Sequence, residues 1–155
     1  MLNSVKISAI VHATEDEDKV LEAIEFFIPE DVDEEKINLD VVETQGYFGN
    51  PIKIVNISVE GKEAKMIFKH IMDLIKSDER NLNKLKKDLH LRVEDNKFYV
   101  RFDKQKAYLG ECRVIDGDDV IRTVFNFKIF APKNKEEKVK ETIINELGIS
   151  NASDV

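Results

Sequence analysis

The sequence predicts an α+β fold with two layers, a largely antiparallel sheet and helices packed on one of its faces. Two features lead to this class. Segments in which apolar and polar residues alternate are interspersed with segments whose apolar residues recur at helical spacing. After residue 97, three predicted strands follow one another with only short turns between them, as antiparallel strands do. The expected order is β-α-β-β-α-α-β-β-β-α, and the second face of the sheet should be solvated.

The first half of the chain is predicted to hold three strands and two helices. Apolar residues alternate over residues 5–11, which indicates a strand. Thr14 and Glu17 have the spacing of a capping box, so a helix should begin there, and Pro29 should end it. A short strand at residues 37–41 and a strand at residues 52–60 follow. The next helix is marked by apolar residues at helical spacing, namely Ala64, Ile67, Phe68, Ile71, Leu74 and Ile75.

The second half should add two helices and three strands. Ser77 is the expected N-cap of a helix carrying Leu82, Leu85 and Leu89. Strands are expected at residues 98–102, 107–115 and 121–129, and a last helix should run from Asn134 to Gly148. We find no repeat or linker, so residues 1–155 are expected to form one domain with a frayed tail after about residue 150.

Composition argues against several classes of protein. No apolar run approaches the roughly 20 residues that a membrane-spanning helix needs, and the N-terminus lacks the pattern of a secretory signal. Cys112 is the only cysteine, so no internal disulfide can form and a reducing compartment fits best. We therefore expect a cytoplasmic protein without membrane association.

The net charge of −7 is unevenly distributed along the chain. Residues 1–45 hold thirteen acidic residues and three lysines, whereas residues 84–113 hold nine basic and five acidic residues. An acidic protein is a poor candidate for non-specific duplex binding, which requires neutralisation of phosphates. The basic segment leaves room for a local anion-binding face, although charge runs are also common on ordinary solvated surfaces.

The motifs of common catalytic and cofactor sites are absent from the sequence. There is no phosphate-binding loop, dinucleotide-binding fingerprint or zinc-ligand spacing, so we expect neither enzymatic activity nor a cofactor. Cys112 lies in a predicted strand, which favours a small buried hydrophobe over a nucleophile paired with histidine. The acidic groups at residues 15–18 and 116–119 lack a complete ligand pattern. A helix N-terminus and a β-turn explain them, so no metal site is predicted.

One segment combines aromatic side chains with a glycine-rich loop. At residues 46–51, Tyr47 and Phe48 lie between two glycines, and Lys53 follows shortly after. Two rings on such a loop could stack on unpaired bases, because glycines allow close approach of the backbone. Alternatively, one of the rings packs against the edge of the core.

A second segment concentrates positive charge near a strand end. Arg101, Lys104 and Lys106 are expected to project from the strand and its turn, where they could contact phosphate. Arg113 and Arg122 on neighbouring strands would enlarge this patch if the strands pair suitably. The alternative is an ordinary solvated hairpin tip.

Four short segments, taken together and in order, give the chain a family resemblance. They are HATED at residues 12–16, GYFGNPI at 46–52, DKQ and AYLG within 103–110, and DGDDVIR at 116–122. The chain resembles an archaeal family of small proteins described as RNA-binding or as predicted exosome subunits. That family is similar in fold to the large-subunit ribosomal protein that binds 5S RNA. The resemblance extends from about residue 5 to residue 147 and implies no catalytic residues.

The resemblance implies a non-catalytic RNA-binding protein that works with RNA-processing machinery, such as the exosome, or with ribosomal machinery. Its partners would be RNA and a protein of such a complex. The alternative is a protein–protein adaptor that uses its acidic half or open sheet face without touching RNA; an enzyme comes third. Basic groups beside an aromatic loop would favour RNA, whereas a broad apolar patch on the open sheet face would favour a protein partner.

Overall fold

The computed structural model of the chain describes residues 1–130 and 133–149, except for the side chain of Tyr47. Six strands form one antiparallel sheet in the spatial order β2-β3-β1-β6-β5-β4. The strands are β1 (Leu2–Val11), β2 (Asn38–Gln45), β3 (Pro51–Glu60), β4 (Val93–Glu94), β5 (Lys97–Asp103) and β6 (Val120–Phe127). The helices are α1 (Glu17–Glu25), α2 (Gly61–Lys76), α3 (Glu79–Arg92), α4 (Lys104–Tyr108) and α5 (Lys135–Leu147). The predicted α+β class with a largely antiparallel sheet is confirmed.

One face of the sheet is buried because alternate residues of four strands are apolar and the pairing register aligns them. Ile7 lies opposite Ile57 of β3 and opposite Thr123 of β6, and Phe98 of β5 lies opposite Phe125. We call this side the core face. The core-face positions of the four strands are Val5, Ile7, Ala9, Val11, Val55, Ile57, Val59, Phe98, Val100, Phe102, Ile121, Thr123, Phe125 and Phe127.

Helix α2 covers the centre of the core face. Its buried residues recur three and four positions apart, which places them on one side of the helix. The predicted helix is confirmed, although Leu74 is half-buried and Met72 is buried as well. Phe68 packs edge-on against Phe125 and Phe127 of β6, with ring centroids 5.2 and 5.8 Å apart. Burial of each large apolar side chain in this layer stabilises the fold by about 1.5–3 kcal/mol.

Two helices begin later than the sequence predicted. The N-cap of α1 is Asp16, whose carboxylate accepts from the backbone N–H of Asp18, and not Thr14. The N-cap of α3 is Asp78, which accepts from Arg80 N–H, and not Ser77. In each case an aspartate follows the predicted residue closely and competes with it, since both residue types accept well from a first-turn N–H.

The strand predicted at residues 107–115 is wrong. Residues 104–108 form α4, because the Asp103 side chain accepts from Lys106 N–H and caps a helical turn. Gly110 then adopts a positive φ of 83°, which favours glycine. Only Val114 forms a β-bridge, with Phe102 of β5. The alternation read as a strand therefore belongs to an irregular segment packed against the edge of the sheet.

That irregular segment is held in place by a buried asparagine. Asn81 of α3 is fully buried, and its Nδ2 donates to the carbonyl of Cys112 at 2.9 Å. Its Oδ1 accepts from the backbone N–H of Val114, also at 2.9 Å. The side-chain amide thus satisfies the backbone groups of Cys112 and Val114, whereas those of Arg113 and Ile115 bond to β5. Asn81 thereby fixes the path of the chain between α4 and β6.

None of the helices within the described ranges has the length and apolar character that a bilayer crossing requires. The predicted frayed tail lies outside the described residues.

We expect Asn81→Ala to lower the free energy of unfolding by about 2–3 kcal/mol, because it leaves a buried N–H and a buried carbonyl without partners. Urea denaturation followed by circular dichroism measures the change. Asn83→Ala, at an exposed position on the same helix, is the matched control and should cost much less. Equal costs for the two variants would contradict the role given to Asn81.

Candidate nucleic-acid interface

The four segments that carry the family resemblance meet at one end of the sheet. Residues 12–16 follow the end of β1, and residues 116–119 lead into β6. The β2–β3 turn lies at the same end, since Val11 pairs with Lys53. Helix α4 begins there too, since Asp103 at the end of β5 pairs with Val120 at the start of β6. Segments far apart in the chain are therefore neighbours in the fold.

A buried lysine connects three of these segments. The side chain of Lys104 is only 8 % exposed. Its Nζ lies 2.9 Å from the Ile10 carbonyl, 2.9 Å from Glu15 Oε1 and 2.6 Å from Asp119 Oδ1. The three N–H bonds of an ammonium group can thus each find an acceptor. His12 adds to the cluster, because its Nε2 lies 3.2 Å from Asp119 Oδ1.

This cluster changes the role expected of Lys104. The sequence predicted that Lys104 projects from a turn, which is wrong, because α4 directs its ammonium group inward. The oxygen and nitrogen atoms of His12, Glu15 and Asp119 lie within 4.8 Å of one another, a spacing that a metal ion would also accept. The ammonium group already provides the positive charge that these carboxylates need. We call His12, Glu15, Lys104 and Asp119 the lysine cluster.

Arg101 and Arg122 lie opposite each other on the sheet face away from the helices, which we call the open face. Like charges placed so closely repel each other. The loop before β6 offsets this repulsion: Arg101 Nη1 donates to the Gly117 carbonyl at 2.6 Å, and Asp118 Oδ1 lies 4.0 Å from Arg101 and 3.5 Å from Arg122. Asp118 is 96 % exposed, so a single hydrated carboxylate faces two guanidinium groups. The pair retains an excess of positive charge.

Further basic and aromatic groups lie beside this arginine pair. Lys6 and Tyr99 flank Val124 on the open face, on either side of β6, and Lys97 lies opposite Asn126. Within β1 and β6, the open-face positions from Ser4 to Ile10 and from Val120 to Asn126 carry no acidic residue. We call Lys6, Lys97, Tyr99, Arg101 and Arg122 the basic face.

A groove of about 730 Å³ borders the basic face, between the end of α3 and the edge of β5. Tyr99, Arg101 and Arg122 contribute to its wall. On its other side Arg92 is buried and binds Asp88 through two hydrogen bonds of 2.8 and 3.0 Å. The charge of Arg92 is therefore neutralised internally, and the accessible positive charge of the groove comes from the arginine pair.

The aromatic hairpin tip lies apart from the basic face. Phe48 is 91 % exposed and adopts a positive φ of 67°. The backbone of Tyr47 belongs to a single 3₁₀ turn, and its side chain lies outside the description. Lys53 points to the core-face side, where its Nζ lies 3.4 Å from Glu17 and 3.9 Å from Glu43. Acidic partners thus surround this lysine.

Lys106 and Arg113 belong to a separate group of charges. Lys106 Nζ lies 3.6 Å from Glu111, and Arg113 Nη2 lies 2.9 Å from Glu111 and 3.4 Å from Asp78. The pKa of Asp78 is lowered to about 2, chiefly because Arg80 donates a hydrogen bond to its carboxylate. These basic groups are paired with acids near the start of α3.

The eight predicted RNA-contacting residues therefore fall into four places. Arg101 and Arg122 meet on the open face, Lys104 is buried, and the others divide between the hairpin and the start of α3. Sequence reasoning missed Lys6, Lys97 and Tyr99. The sequence shows that these residues alternate with the apolar residues of their strands. Only the strand pairing shows that they lie next to Arg101 and Arg122.

Comparison with known proteins agrees with this geometry. A family model described as RNA binding matches residues 4–127. The chain belongs to this RNA-binding family. The RNA-binding protein PAB1135 of Pyrococcus abyssi is 39% identical to it over 140 residues, which cover 89% of each chain. Protein MJ0213 of Methanocaldococcus jannaschii is 87% identical over 148 residues, covering 96% of this chain and 99% of the relative.

The solved structures include Mth689, a DUF54 protein of Methanothermobacter thermautotrophicus. It superposes with a TM-score of 0.72 at 26% identity, over 95% of this chain and 98% of that one. The predicted resemblance to an archaeal RNA-binding family is thus confirmed. The family description and the name of the Pyrococcus relative point to RNA binding rather than catalysis.

In this member of the RNA-binding family, we expect Lys104→Met to lower the free energy of unfolding by about 1–3 kcal/mol at pH 7. The change leaves Glu15 and Asp119 without their shared cation, and the exposure of Asp119 limits the cost. Chemical denaturation measures it, with Lys106→Met as the control at a more exposed lysine. A smaller loss for Lys104→Met than for the control would contradict the role of the cluster.

The effect should depend on pH. The pKa of Asp119 lies below its usual value, chiefly because Lys104 donates to its carboxylate. A lowered pKa stabilises the fold above the unfolded value of about 3.9, and this stabilisation is lost as the pH falls through the lowered pKa. The difference between wild type and Lys104→Met should therefore shrink below about pH 4.

We expect Cys112 to be unreactive in the folded protein. Burial, followed by the nearby charge of Asp78, raises the pKa of its thiol to about 12, so very little thiolate exists at neutral pH. Alkylation by iodoacetamide at pH 7 should be at least about 100-fold slower in the native protein than in urea. Equal rates in both conditions would show that the thiol is as accessible as in the unfolded chain and would contradict its burial.

Proposed function

We propose that this protein is a non-catalytic RNA-binding protein that holds single-stranded RNA on its basic face. Family membership supports binding of RNA as the general activity. The choice of site rests on Arg101 and Arg122, which lie opposite each other and share one exposed carboxylate. Lys6, Lys97 and Tyr99 lie beside them.

The chemistry of the basic face suits a single strand. Arginine and lysine side chains about one strand spacing apart can contact successive phosphates, and the guanidinium group can bind a phosphate through two parallel hydrogen bonds. Tyr99 is 36 % exposed and offers a ring on which an unpaired base can stack. A duplex would bury its bases and could not use this ring.

The distribution of charge explains how a chain with a net charge of −7 can attract RNA. A row of paired residues crosses the open face from Arg101 and Arg122, through Ser8 and Asn56, to Asp40 on β2. Positive charge is therefore concentrated at the β5–β6 side. Asp40 and Glu43 of β2 lie at the other edge, so they repel RNA from that side and favour one orientation of binding.

As its place of action we propose RNA-processing machinery of the exosome type, or ribosomal machinery, in the cytoplasm. The resemblance of the four short segments to predicted exosome subunits supports this proposal. The ribosomal setting would agree with the family's resemblance in fold to the ribosomal protein that binds 5S RNA. Co-purification of the tagged protein with RNA-degrading complexes or with ribosomal particles tests the two settings directly.

The binding site is tested by fluorescence anisotropy with a labelled single-stranded RNA at several salt concentrations. Arg101→Gln combined with Arg122→Gln should weaken binding at least about tenfold at low salt, because phosphate contacts are lost. The slope of log K against log salt should become shallower by about 1.4, since each contact to a single strand contributes about 0.7. Tyr99→Leu should instead lose about 1–3 kcal/mol of stacking with little change in the slope.

The matched control is Lys62→Gln combined with Lys65→Gln at exposed positions of α2, which removes the same charge from the helix that covers the core face. It should change the affinity and the slope far less than the arginine variant. Equal losses in both variants would contradict the proposed site and leave only a general charge effect. Absence of wild-type binding at low salt would contradict the proposed function itself.

A further inference from the structure

The outermost strand β2 presents an unusually open edge. Strand order places β3 on one side of β2 and no strand on the other within the described part of the chain. Every residue of β2 is exposed. Leu39 and Val41 on the core-face side are 56 % and 41 % exposed, and Val42 on the open face is 43 % exposed. An edge of this length with apolar side chains is a template on which another strand can pair.

A groove of about 670 Å³ adjoins this edge on the core-face side. It lies between the start of β2 and the segment that follows α1. Its volume is in the range of sites that bury side chains of a ligand or partner. The apolar part of its lining includes Phe26, Ile28, Leu39 and Ile57.

Acidic residues surround the groove and the edge. Glu25, Glu30 and Glu34 line the groove, and Asp40 lies on the open-face side of β2. The structure shows no ion pair for these four carboxylates with any basic residue in the described ranges. Residues 17–45 hold eleven acids and only two lysines. The negative charge of this region is therefore available to a partner.

We propose that the β2 edge and its groove form a docking site for an extended segment of a partner protein, in which apolar residues alternate with lysine or arginine. The segment would add a seventh strand, with its backbone hydrogen-bonded to β2. Because side chains of a strand alternate between faces, its apolar residues would lie beside Leu39 and Val41 and enter the groove at Leu39. Its basic residues would face Asp40 on the open-face side. Glu25, Glu30 and Glu34 around the groove would add a longer-range attraction for the same positive charge.

The negative charge of this region favours a basic protein segment over a second copy of the chain and over RNA. A second copy of the chain would bring an equally acidic edge, and like charges on paired strands are destabilising. RNA would be repelled by the same carboxylates. The site lies at the edge of the sheet opposite to β4, so a partner bound there would leave the basic face accessible, and it does not depend on the proposed RNA binding.

The test uses labelled synthetic peptides and the full chain. The probe is an eight-residue peptide of alternating Lys and Val, with an alternating Glu and Val peptide as the charge control. Two further probes carry N-methyl groups on all Lys amides or on all Val amides, which removes the N–H donors of one strand edge at a time. Anisotropy measures affinity, and amide chemical shifts of ¹⁵N-labelled protein locate the site.

We expect the Lys–Val peptide to bind and to shift amides of β2 and of Ile37 in the groove. One N-methylated peptide should bind at least tenfold more weakly and the other should retain its affinity, since only one edge of the added strand faces β2. Leu39→Lys, and Glu30→Lys combined with Glu34→Lys, should each weaken binding at least fivefold. Glu141→Lys, at an exposed position on α5, is the control and should leave it unchanged.

Several results would overturn the proposal. They are equal binding of the Glu–Val peptide, an equal effect of both N-methyl series, or shifts confined to the basic face. Absence of binding by the Lys–Val peptide at millimolar concentration would also overturn it. So would a dimer in sedimentation that Leu39→Lys disperses, because the occupant would then be a second copy of the chain.

Discussion

The burial of one ammonium group organises the end of the sheet where the family segments meet. Lys104 is almost fully buried, and a buried charge without partners would be costly. It therefore requires the Ile10 carbonyl, Glu15 and Asp119 at hydrogen-bond distance. These three groups come from the end of β1, the segment before α1 and the loop that leads into β6. The same ammonium group thus fixes the loop at residues 116–119, which brings the Gly117 carbonyl and Asp118 to the arginine pair.

The fold separates the two signs of charge that the chain keeps in separate parts of its sequence. The pairing order places β2 at one edge and β5 with β4 at the other. Because the acidic half supplies α1 and β2, and the later strands supply Lys97, Arg101 and Arg122, the sheet acquires an acidic edge and a basic face. A small net negative charge is then compatible with local binding of RNA, since field strength depends on nearby charges more than on their sum.

Local pattern predicted most of the fold and little of the site. Alternation identified β1, β3, β5 and β6, and helical spacing identified α2, because these elements each bury one face. Residues 107–115 were misread as a strand, since they form the end of α4 and an irregular segment that the side chain of Asn81 helps to hold in place, which no periodicity reveals. Arg101 and Arg122 were expected near each other, but Lys104 was assigned to the surface. Its burial depends on acceptors that the chain contributes from distant positions.

Chemical-shift mapping of single-stranded RNA on the ¹⁵N-labelled protein tests the central claim most directly, because it reads the location of binding without altering any residue. The account predicts that amide shifts concentrate at Lys6, Lys97, Tyr99, Arg101 and Arg122 and in the loop at residues 116–119, and that α1 and β2 remain unaffected. Shifts concentrated on α1 and β2, with the basic face unchanged, would contradict it.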